Sequence, residues 1–63
     1  MKSSEFDTLA DAAAYRKQHG GWLFVGGTAT WWFDAAVYTP SQILASAQTR
    51  GVSGELVCDN RHA

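Results

Sequence analysis

The chain has one cysteine, one proline and one methionine among 63 residues, and its charges nearly cancel to a net of -1. Each scarcity excludes something. A lone thiol, Cys58, cannot form an intramolecular disulfide, so the stapled scaffold of small secreted domains is excluded and a reducing, cytoplasmic setting is the expectation. One cysteine and two widely spaced histidines match no structural zinc spacing. A balanced charge offers little counterion-release driving force, which weighs against a polyanion partner. The longest apolar run, Trp22 to Val25, is far short of a membrane span, and Met-Lys-Ser-Ser-Glu-Phe-Asp has no apolar signal region, so neither anchor nor signal peptide is expected.

What is present is apolar and aromatic. Hydrophobic residues make up 46% of the chain, including three tryptophans, three phenylalanines and two tyrosines, well above the content of disordered segments. Such a length admits one core, and a domain near 60 residues buries only about 60% of its unfolded surface. The expectation is a single domain over 1–63, with 1–5 and 60–63 as frayed tails.

Residues 8–19 read as a helix. Thr8 and Asp11 have capping-box spacing, alanine is dense, and Arg16, Lys17 and His19 lie near the negative end of the helix dipole. Gly20 and Gly21 stop it. Leu9, Ala12, Ala13 and the stem of Arg16 form its apolar side, and Phe6 can fold over the first turn.

From Trp22 the pattern turns to aromatic and β-branched residues, interrupted by Gly26-Gly27, a two-residue hairpin signal. Strands are expected over 22–25 and 28–33. Alternation gives one face with Trp22, Phe24, Ala29, Trp31 and Phe33, and another with Leu23, Val25, Thr28, Thr30 and Trp32. The first is the more apolar and is expected beneath the helices. A one-residue slip of the turn is expected to exchange the roles of the two faces.

Thr39-Pro40-Ser41-Gln42 carries the clearest local signal. Thr39 caps, Pro40 suits the first helical position, Gln42 completes a capping box, and Tyr38 with Ile43 has hydrophobic-staple spacing. A helix over 40–50 follows, burying Ile43, Leu44 and Ala47, with Gly51 as its stop and Val52 meeting Ala47 in a Schellman arrangement. Glu55 to Asp59 alternates as a short third strand of undetermined orientation. The resulting fold class is α+β: order α-β-β-α-β, a three-stranded sheet with a hairpin, and both helices packed on one face.

The catalytic candidates are Cys58, His19, His62 and the aspartates, and no convergent set emerges from them. Cys58 alternates inward as a small hydrophobe, and His19 serves a helix C-terminus. Cys58 with His62 is too few ligands for a metal. Gly20-Gly21 and Gly26-Gly27 are not strand-to-helix phosphate loops, and Thr39 is a cap rather than an anion site. No cofactor is expected.

Two adjacent tryptophans on a strand point to opposite faces, so Trp32 is expected outward with Leu23, Val25 and Thr30. That patch is the candidate interaction surface of a non-catalytic interaction or regulatory module, meeting a protein partner or a second copy. The alternative is a weak nucleic-acid binder, stacking bases on sheet aromatics or inserting the second helix with Ser41, Gln42, Gln48 and Arg50. Short chains of this kind, without targeting information, are typical of bacterial and phage genomes.

Overall fold

In a computed structural model the chain is described over residues 2–57; Met1 and residues 58–63 lie outside that range. The order is β1 (Ser3–Phe6), α1 (Leu9–His19), β2 (Trp22–Gly26), β3 (Ala29–Phe33), α2 (Pro40–Thr49) and β4 (Gly54–Val57). All four strands form one antiparallel sheet in the order β1-β3-β2-β4. The sheet thus has four strands rather than three. The third strand expected from the sequence is β4, and it lies antiparallel on β2.

The added strand, β1, falls where a frayed N-terminal tail was expected. Its sequence Ser-Ser-Glu-Phe carries almost no apolar alternation, because one of its two inward positions, Ser4 and Phe6, is a serine. Ser3 and Glu5 are exposed, while Phe6 turns inward with its ring centroid 5.4 Å from that of Tyr15. The expected second tail, 60–63, and the outer part of the expected strand, Cys58 and Asp59, lie outside the described residues.

The hairpin register pairs Trp22 with Phe33, Phe24 with Trp31 and Gly26 with Ala29. The loop is therefore Gly27-Thr28, one residue beyond Gly26-Gly27. Gly27 has φ +61°, the positive value that a II′ hairpin turn demands at its first central position, so one glycine suffices and Gly26 stays in the strand. The slip does not exchange the faces as expected. Moving a two-residue loop by one position changes the sum of paired residue numbers by two, which preserves parity and hence the residues sharing a face.

The helices, however, lie on opposite faces. α1 covers Leu23 and Trp32, with Ala12 at their centre and Phe6, Ala13, Tyr15 and Val57 around them. α2 covers Phe24 and Phe33 through Ile43, with Trp22, Trp31, Tyr38, Ala47, Val52 and Leu56 completing that layer. The expectation of both helices on one face is corrected, and the strand order supplies the reason. β1-α1-β2 and β3-α2-β4 each join parallel strands that have one strand between them, and both step the same way across the sheet. β3 runs opposite to β1. Two crossovers of the same hand that start in opposite directions and step the same way must carry their helices on opposite faces.

Local signals account for the helix ends. Asp11 N–H donates to Thr8 Oγ1 at 3.2 Å, and the α1 C-cap is Gly20 with φ +72°. At α2 the full capping box forms, with Gln42 N–H donating to Thr39 Oγ1 at 3.2 Å and Thr39 N–H to Gln42 Oε1 at 2.9 Å. Val52 N–H reaches Ala47 O at 2.9 Å and Gly51 N–H reaches Gln48 O at 3.1 Å, the paired bonds of a Schellman ending.

Candidate interaction surface

Three of the four residues expected to face outward are core residues: Leu23 is 0% exposed, Thr30 3% and Trp32 3%. Val25 is half-buried. This surface is corrected for a specific reason: α1 occupies it. Ala12, with no side chain beyond its methyl, brings the helix backbone close to the sheet, and Tyr15 meets the Trp32 ring edge-on at 5.0 Å. The Trp32 indole N–H then donates to the carbonyl of Gly20 at the end of α1. The sheet-stacking route to nucleic acid loses Trp32 with this face.

Among the described residues the catalytic candidates do not converge. His19 stacks on Tyr15 at 4.1 Å and meets the edge of Trp32 at 6.4 Å, so its ring extends an aromatic row. Asp11 sits in the first turn of α1. Asp34 holds the loop before α2: its Oδ1 accepts from Ala36 N at 2.8 Å and its carbonyl accepts from Tyr38 N at 2.9 Å. Cys58, Asp59 and His62 lie outside the described residues. Among the described residues no three His, Cys, Asp or Glu side chains group as a metal site, and no helix is long and apolar enough to cross a membrane.

Beneath α2, between Phe24, Trp31, Phe33 and Ile43, lies a void of about 20 Å³. It has room for about one water. A more open surface lies on the other flank of α2, toward β4. Ile43 and Ala47, four residues apart, form the row that enters the sheet, and Leu44 stands about 100° around the helix from Ile43. Leu44 is consequently 41% exposed rather than buried as expected. With Gln48 it lines a groove closed below by Phe24 and Val52 and at its end by Ser53 and Gly54, where β4 begins.

β4 borders this groove and, among the described residues, is an outer strand paired with β2. Its far side presents backbone donors and acceptors to solvent on alternate residues. The two sheet edges differ in character. Each edge strand carries one charge, Glu5 on β1 and Glu55 on β4, but β4 runs beside the groove at Leu44. A strand edge beside a groove offers side-chain sites as well as main-chain hydrogen bonds, so β4 is the more receptive edge. The sequence signal for this surface was the unshared apolar position Leu44 beside a helix row already satisfied by Ile43 and Ala47.

Compared with protein-family models, curated proteins and solved structures, the chain matches none.

Proposed function

We propose that this chain is a non-catalytic interaction module that meets a protein partner, a second copy of itself included, through the α2–β4 flank. The observation carrying this reading is the continuity of exposed Leu44 and its groove with the open edge of β4. Edge strands beside an apolar groove suit strand addition, in which main-chain hydrogen bonds supply affinity and side chains entering the groove supply selectivity. A domain of this size also gains stability from any partner that binds only its folded state. The surface offers a groove and a strand edge, features that suit recognition of an extended segment.

The test is the molar mass of wild type and Leu44→Arg by light scattering across a concentration series, with circular dichroism on each. Leu44 is exposed, so the substitution leaves the core intact. The reading expects wild-type association that Leu44→Arg weakens roughly tenfold or more, as loss of a central apolar contact does. Association of equal strength in both proteins would remove this flank from the interface.

A further inference from the structure

The geometry points to a specific occupant of the β4 edge: a second copy of this chain, paired β4 to β4 about a twofold axis centred on Leu56, so that two four-stranded sheets become one. This inference rests on the interaction reading above and adds the partner and the register.

Three observations carry it. The first is symmetry. Two edge strands join antiparallel into one continuous sheet only about an axis perpendicular to the sheet, which keeps each face on its own side. Residues opposite each other must then share a face, so their numbers share parity and the centre falls on a residue.

Charge excludes one centre, and apolar pairing favours its neighbour. Centring on Glu55 sets two carboxylates directly opposite each other, a destabilising cross-strand pair. Centring on Leu56 sets Leu56 against Leu56 on the α2 side and Glu55 against Val57 on the α1 side. That register pairs two half-buried leucines and separates the carboxylates.

The second layer agrees. The flank of α2 beside this edge carries Leu44 and Gln48, both uncharged. Neighbouring helices pack about 8–10 Å apart, so twofold pairing of β4 turns the Leu44 flanks of two α2 helices toward one another. Neither the groove nor the void beneath α2 is lined by β1 residues. Joining β4 to β4 uses the same edge in both copies, so the contact is isologous and the assembly closes as a dimer.

The register is tested by cross-linking in a Cys58→Ala background that removes the natural thiol. Residues directly opposite in an antiparallel pair have Cα atoms about 4.5–5.5 Å apart, within the range a disulfide spans. Leu56→Cys should therefore cross-link under mild oxidation. Glu55→Cys places its two copies about 8 Å apart, beyond disulfide reach, and should give at least about fivefold less cross-linked dimer. Because Leu56 also packs in the α2 layer, a nitroxide on the exposed Glu55→Cys variant provides a second readout: strong dipolar broadening in the dimer. Cross-linking at 56 over 55, with broadening, is the expected result. A wild-type dimer with neither signal overturns β4 pairing and leaves self-association through another surface standing. A monomer at every concentration overturns both, leaving the edge to an extended segment of another protein.

Discussion

The Trp32 indole N–H donates to the carbonyl of Gly20, the residue that ends α1, and so ties the C-terminal part of β3 to the end of the helix lying across it. Trp22, opposite Phe33 in the hairpin, has the contrary situation: its Nε1 is buried with no hydrogen-bond partner among the described residues.

The two tryptophans should therefore answer differently to the same change. Trp32→Phe removes a made bond together with part of the buried indole's packing, and should cost about 2 kcal/mol. Trp22→Phe removes an orphan donor along with some packing, and should stay within about 1 kcal/mol of wild type. Urea unfolding followed by circular dichroism decides between them, and equal losses would contradict this assignment of the two indoles.

Gly21 and Gly27 both have positive φ, +97° and +61°, but their surroundings differ. A Cβ on Gly21 would meet the Phe33 carbonyl and the Trp32 indole at 2.5 Å, while one on Gly27 meets nothing within 4 Å. Gly27→Ala should cost only the left-handed backbone penalty, about 1–2 kcal/mol. Gly21→Ala adds displacement of Trp32 and should cost at least about 1 kcal/mol more. The comparison is again a shift in the urea midpoint.

The capping box at α2 gives a smaller, local effect. Thr39→Ala loses the bond to Gln42 N–H and should destabilise by about 1 kcal/mol. Thr39→Asp restores an acceptor beside the helix N-terminus and should recover most of that loss. No difference between the alanine and aspartate variants would remove the cap from the stability of this helix.

Gly54 lies so close to the backbone of Val25 and Gly26 that a Cβ there overlaps the Val25 carbonyl. Gly54→Ala should push the start of β4 away from β2 and accelerate amide exchange at Glu55 and Leu56 more than in the hairpin β2–β3. Uniform acceleration across the sheet would mean that β4 does not open separately.

The parts of this fold that the sequence makes legible are those decided by neighbours in the chain. Thr8, Thr39-Pro40, Gln42 and Gly51 act within a few residues, and both helices and the α2 Schellman ending lie where they indicate. The hairpin is legible for the same reason, and its face sets survive the shifted turn because parity does. β1 is hidden because Ser3, Ser4 and Glu5 carry no apolar period, and its place beside β3 is set by contacts nearly thirty residues away. The side of the sheet taken by α1 is hidden too. It depends on the strand order, and without β1 there is no first crossover from which to reason. The expected outward patch of Leu23, Val25, Thr30 and Trp32 followed from that omission, and so did the oversight of the α2–β4 flank.

The functional reading depends on α1 covering the Trp32 face, and nuclear Overhauser contacts from the Ala12 methyl test that placement most directly. The account predicts cross-peaks from Ala12 to the Trp32 indole and the Leu23 methyls, with none to Phe24 or Ile43. Cross-peaks from Ala12 to Phe24 or Ile43 instead would put both helices on one face, return Trp32 to the surface and contradict the account.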